Sequence, residues 1–163
     1  MSHSVTITRT VTSSNTTSTL ILNTGYLKTL PGLLKFSQLI VGAVCVGIIA
    51  YHYNRNYHTY GLPDLFFLLM ATTFLIGTFC LLVSCLFSLS TGGIISKTIY
   101  ELIYHTVAAI LLLIASVYFL VKLQDYKNYN FYNAYTAAGA LGILNTLLYI
   151  WGAVIARKTY RGI

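Results

Sequence analysis

The sequence predicts an all-α membrane protein, a four-transmembrane-helix bundle with both termini cytoplasmic, and three observations carry that expectation. Of 163 residues, 56% are hydrophobic and only 8% charged, whereas soluble domains carry roughly a quarter charged. Apolar runs fall at about residues 32–51, 65–89, 99–121 and 134–156, and each is long enough to cross a bilayer as a helix. The basic residues are unevenly shared between the two ends of these runs. Arg9, Lys28, Lys35, Lys97, Arg157, Lys158 and Arg161 collect on one side, against Arg55, Lys122 and Lys127 on the other. The richer side is expected to be cytoplasmic. The formal net charge of +7 then reflects topology and attraction to anionic lipid rather than nucleic acid, because no basic stripe is present.

Residues 1–29 read as a flexible Ser/Thr-rich cytoplasmic tail, with too little apolar area to offset the entropy of ordering. The stretch from Val5 to Thr12 alternates apolar and hydroxyl residues, yet the chain offers it no partner strand. The tail hydroxyls are candidates for phosphorylation. Residues 30–156 form the transmembrane domain. Pro31 sits near the start of the first span, where its missing N–H costs little, and Asp64 follows Pro63 as a capping residue of the second. Residues 90–97 make a short turn, 122–133 a short polar connection, and 157–163 a basic cytoplasmic tail. Eight of the fourteen tyrosines lie in residues 51–60 and 126–135, at the depth of an interfacial aromatic belt.

Each span carries a stripe of small and polar residues at helical spacing. The stripes are Lys35, Gln38, Gly42, Cys45 and Ile49; Thr73, Gly77, Cys80, Ser84 and Phe87; Glu101, His105, Ala108, Leu112 and Ala115; and Ala138, Gly142, Asn145, Tyr149, Gly152 and Ala156. Helices in lipid associate through close packing and hydrogen bonds rather than through hydrophobic drive, so these stripes are read as the seams of the bundle. Gly42, Gly77, Ala108, Gly142 and Gly152 are the expected packing positions. At about 1.5 Å per residue, Lys35 and Glu101 lie at similar shallow depth, with Gln38, Ser84, His105 and Tyr149 one turn deeper. An ion pair between Lys35 and Glu101 is expected, above a hydrogen-bonded layer of Gln38, His105 and Tyr149. Asn145 is the remaining polar group at mid-bilayer depth.

Glu101 and His105 also admit a functional reading as a proton relay or ion site, since intramembrane acids attract that suspicion. Shallow depth and a matching lysine favour the structural reading. No metal site is expected, because His52 and His58 fall at the opposite side from His105. No Ser or Cys has a His in a catalytic arrangement, so neither an enzyme nor a cofactor is predicted. Cys45, Cys80 and Cys85 lie inside apolar runs and read as packing residues. Cys85, near the cytoplasmic boundary, is the one candidate for acylation.

The pattern Leu30-Pro-Gly-Leu-Leu-Lys with Gln38-Leu-Ile-Val-Gly, Glu101-Leu-Ile-Tyr-His, and Ala137-Ala-Gly through Leu147-Leu-Tyr resembles the MARVEL-domain family, in its plasmolipin, MAL and CKLF-like branch. The resemblance covers residues 30–160. It implies a non-enzymatic membrane-organising protein, engaged in membrane domain formation, vesicle trafficking or chaperoning of partner membrane proteins. It also implies residence in the plasma membrane or trafficking vesicles, and packing importance for Glu101, Tyr104 and His105. The partners it implies are membrane lipids, cholesterol-rich domains among them, other integral membrane proteins and a second copy of the chain. Beside it stand two other classes, a cell-junction or adhesion component acting through the Tyr-rich outer loops, and a small channel or transporter using Glu101, His105 and Asn145. Apolar flanks such as Phe66, Phe67 and Leu68 are expected to face lipid or another subunit.

Overall fold

The computed structural model describes residues 24–53, 61–87 and 99–162. Four helices make up almost all of it: α1 (Leu30–Tyr53), α2 (Leu62–Phe87), α3 (Ile99–Leu123) and α4 (Tyr132–Arg161). All four are long and apolar enough to cross a membrane. Most of the tail, the tyrosines of residues 54–60, the end of the second span and the turn before the third lie outside the described residues.

Local chemistry sets the helix ends. Thr29 precedes α1, and its hydroxyl accepts from the Gly32 N–H at 3.3 Å while donating to the Tyr26 carbonyl at 2.6 Å. That is an N-cap satisfying one of the free donors of the first turn. Gly32 is required there, because a Cβ would stand 2.1 Å from the Tyr26 carbonyl oxygen. Asp64 is the third helical residue of α2 rather than its N-cap. Its carboxylate reaches back to the Gly61 N–H at 3.0 Å, the carboxylate half of a capping box. Gly162 ends α4 in the left-handed region, its N–H bonded to the carbonyls of Lys158 and Thr159.

Two boundaries differ from the sequence expectation. Residues Thr24–Lys28, assigned above to the tail, form a short 3-10 helix packed on α1 and α2. The last helix runs through the basic segment to Arg161, because Arg and Lys are good helix formers and their long stems carry charge to the interface.

Each helix packs along its neighbours in the order α1, α2, α3, α4 and back to α1, with α3 and α4 sharing the most extensive contact. The first turns of α1 and α3 and the last turns of α2 and α4 therefore lie at one end. The core divides into two apolar layers. One holds Phe74, Ala108, Ala109, Leu112 and Tyr149. The other, nearer the α1–α2 connection, holds Ile49, Phe67, Phe119 and Tyr135 among others, with Phe67 stacked on Phe119 at 4.8 Å between ring centroids.

The inward face of α2 is not the one expected. Thr73, Cys80, Ser84 and Phe87 are exposed, and Phe67, Ala71, Phe74, Thr78, Leu81, Leu82 and Cys85 are buried instead. The Ser84 hydroxyl donates to the Cys80 carbonyl at 2.8 Å, so it needs no partner from another helix. Phe67 is fully buried and does not face lipid, while Phe66 and Leu68 pack on the same core. The aromatic face of α2 turns inward because α4 presents glycine opposite it. A Cβ on Gly142 would lie 2.6 Å from the Phe67 ring and 2.5 Å from Ser116 Oγ.

This arrangement separates two glycines that look alike in sequence. Gly142→Ala should lower the melting temperature of the purified protein, since Phe67 is held by Phe119 and cannot withdraw. Gly47 has nothing within 4 Å of a built Cβ, and Gly47→Ala should be neutral or stabilise by up to about 1 kcal/mol. Thermal unfolding of both variants in one detergent checks the pair, and equal effects would refute the assigned seam.

Candidate functional site, a buried polar clamp at one end of the bundle

Lys35, on the second turn of α1, is 2% exposed, and Glu101, on the first turn of α3, is 5% exposed. Two opposite charges this deeply buried must compensate each other, because either alone would be uncompensated in a low-dielectric surrounding. Lys35 Nζ donates to Glu101 Oε1, forming a direct ion pair. His105, one turn along α3, places Nε2 3.6 Å from the same oxygen. The carboxylate is thus approached from two sides, by a cation on one helix and an imidazole on its own.

Tyr26 closes the group from outside the spans. Its hydroxyl accepts from Lys35 Nζ at 3.0 Å, and the ammonium lies 5.7 Å from the centre of its ring, within cation–π range. Burial, with the Cys85 thiol and the Glu101 carboxylate nearby, pushes the Tyr26 phenol above its ordinary range. It therefore stays a neutral partner of the lysine. Gly152 of α4 gives the imidazole its place, since a Cβ there would meet three His105 ring atoms at 3.0–3.1 Å. Beside the cluster is a cavity of about 10 Å³ lined by Lys35, Glu101, His105 and Gly152 among others, about the room that one water molecule needs.

A second polar group lies deeper. The Thr78 hydroxyl lies 2.6 Å from the Tyr149 hydroxyl and 3.0 Å from the Tyr104 hydroxyl, and both tyrosine hydroxyls are in hydrogen-bonding reach of the Phe74 carbonyl, at 3.2 and 3.0 Å, so three protons are shared among four contacts. The carbonyl oxygen belongs to a helix already complete in its own bonds, so its spare lone pair anchors α3 and α4 onto α2. The single layer expected from the sequence is therefore divided. Gln38 Nε2 donates to the Leu148 carbonyl at 2.9 Å, tying α1 to α4. His105 belongs with Glu101, and Tyr149 with Thr78. Ser84, at matching depth, faces outward.

The other singled-out positions are distributed along the seams. Asn145 is buried, and its Nδ2 would lie 3.5 Å from a Cβ on Gly42. Ala108 is buried in the layer around Tyr149, and Gly77 leaves room for the Tyr104 hydroxyl, which a Cβ would approach to 2.7 Å. Cys45 donates weakly to the Ala138 carbonyl at 3.6 Å. Cys85 is buried and Cys80 exposed. His52 rests against Tyr135 at the opposite end of α4 from His105, and His58 lies outside the described residues. Among the described residues no group of three His, Cys, Asp or Glu side chains converges.

Three participants escaped the sequence reading. Tyr26 was assigned to the tail, Thr78 lies one position from the stripe assigned to α2, and Tyr104 carried weight only through the resemblance. The legible signal was the i, i+4 placement of Tyr104 and Ala108, with a Thr at comparable depth on α2. Thr78→Val keeps the shape and removes the hydroxyl joining the two tyrosines. It should destabilise the bundle by roughly 1 kcal/mol, read as a lower unfolding midpoint in a common detergent series. An unchanged midpoint would show that the triad contributes nothing.

The MARVEL family, described as a membrane-associating domain, matches residues 26–155. No curated protein and no solved structure matches the chain. The matched segment begins at Tyr26, the residue that closes the ion pair, and takes in nearly all of the four helices. The chain belongs to the MARVEL family of membrane-associating domains and is an integral multi-pass membrane protein.

Proposed function

We propose that the chain is a non-enzymatic tetraspan scaffold that organises the membrane through its lateral surface, in membrane domain formation, vesicle trafficking or the chaperoning of partner membrane proteins. The observation that carries this reading is the direction of its side chains. Lys35 and Glu101 point inward and pair there, and Gln38, Thr78, Tyr104 and Tyr149 bond across the seams, while the outer face is predominantly apolar and its Ser84 and Thr106 hydroxyls are bonded within their own helices. Ile103, Val107, Ile110, Ile114, Val117 and Val121 line one exposed side of α3. Such a face can contact only lipid or another transmembrane segment. The distribution of the basic residues supports cytoplasmic termini, and the plasma membrane or trafficking vesicles is the setting proposed.

The clamp supports a holding role over transport. Its carboxylate is paired with Lys35, His105 stands 3.6 Å from the same oxygen, and the adjoining cavity is of single-water size. Proximity labelling of the full chain in native cells should enrich cargo and trafficking proteins, and replacing Val107, Ile110 and Ile114 by Ala should deplete them without lowering the amount of folded protein. Enrichment of junction components at cell contacts would instead favour the adhesive reading. Proton or ion flux in proteoliposomes that Glu101→Gln abolishes would contradict the scaffold.

A further inference from the structure

The outer surface is not uniform. A groove of about 320 Å³ runs between α3 and α4, its base formed by Ala109 and Ala153 and its sides by Leu102, Ile110, Ile150 and Val154. It exists because the facing alanines leave a furrow that larger residues on either side wall off. Thr106, also on the groove, donates its hydroxyl to the Leu102 carbonyl at 2.7 Å. It thus presents only its methyl group and a satisfied oxygen. Arg157 lies at the groove's end nearest the clamp. Ile150 and Arg157 are two helical turns apart, so the furrow extends roughly 10 Å along the helix, about two thirds of the apolar depth of one leaflet.

The charge at this end makes the groove specific. The chain has only three acidic residues. Glu101 is engaged by Lys35, and Asp64 and Asp125 line a cavity at the opposite end of the bundle. Lys28, Arg157, Lys158 and Arg161 are all exposed here, and no carboxylate among the described residues pairs with Arg157. A basic side chain above an apolar furrow that reaches about two thirds of the way down one leaflet complements one molecule of the bilayer in both parts. We infer that the α3–α4 groove is a binding site for an anionic glycerophospholipid, with an acyl chain along Ala109 and Ala153 and the headgroup phosphate on Arg157. Arginine suits that role because its planar guanidinium pairs with phosphate oxygens in bidentate geometry. The side that carries it is also the one assigned to the cytoplasm, whose leaflet is rich in anionic lipid.

The inference rests on the lateral-scaffold reading, and its test is separate from that one because it needs no neighbouring protein. The full chain, purified and delipidated in a neutral detergent, is titrated with phosphatidylserine or phosphatidylcholine, and bound lipid is counted by native mass spectrometry. Phosphatidylserine should be retained several-fold better. Arg157→Gln should remove about fivefold of its binding, as expected for one basic side chain at an anionic surface. Lys158→Gln, in the same turn but off the groove, should leave the preference intact. Thr106→Phe and Ala153→Leu, which fill the furrow from opposite sides, should reduce both lipids. Thr106 is exposed, so its variant keeps the test decisive if Ala153→Leu fails to fold. Equal retention of the two lipids, an Arg157→Gln variant that binds like the parent, or displacement of phosphatidylserine by equimolar cholesterol would each overturn the assignment.

Discussion

A carboxylate inside a bilayer is tolerated only with a counter-charge, and Glu101 meets that condition through Lys35 on another helix. The pair joins the second turn of α1 to the first turn of α3, which are not sequence neighbours. It therefore fixes the relative depth of two helices that hydrophobicity alone would leave free to slide. His105 and Tyr26 complete the shell, one from within α3 and the other from the 3-10 helix preceding α1. Gly152 is coupled to the same point, because the imidazole occupies the space its missing side chain leaves. Three helices, α1, α3 and α4, meet in one small volume, and α2 touches it through Cys85 beside Tyr26 and is drawn in again a turn deeper through Thr78.

The two polar groups follow a common rule. In lipid an unpaired polar atom is expensive, so most of the described hydroxyls either bond within their own helix or meet a partner across a seam, the buried Ser116 Oγ standing apart with no hydrogen-bond partner among the described residues. Ser37, Ser84, Thr106, Thr136, Thr146 and Thr159 take the first course, each donating to the carbonyl four residues earlier. Thr78, Tyr104 and Tyr149 take the second. The rule explains why hydroxyl residues occur on both the inner and outer faces of the bundle, and why polarity alone does not report orientation.

That distinction also marks what the sequence could and could not disclose. The number of helices, their lengths and the match of Lys35 with Glu101 in depth were legible, because apolar run length and charge inside such a run are one-dimensional signals. The face of α2 was not. Its Thr, Cys and Ser residues suggested a seam, yet the helix satisfies Ser84 by itself and turns Phe67 inward against Gly142 of α4 and Phe74 inward against Tyr104 and Tyr149. That choice depends on volume across the bundle, which no single helix reveals. Tyr26 was hidden for a related reason. A short 3-10 turn after a polar stretch has no periodicity to detect, and its order derives from the lysine it covers.

The result is a bundle whose polar chemistry is spent on its own cohesion and whose outer surface is left for membrane components, a division suited to a membrane-associating domain. The central claim is that the Lys35–Glu101 pair holds the helices in register, and a double-mutant cycle measures it directly. Lys35→Met, Glu101→Leu and the double variant are unfolded in lipid nanodiscs alongside the parent. Each single variant should lose on the order of 3–5 kcal/mol, because it leaves one buried charge uncompensated, and the double variant should recover much of that loss. Additive effects, or single variants as stable as the parent, would contradict the account.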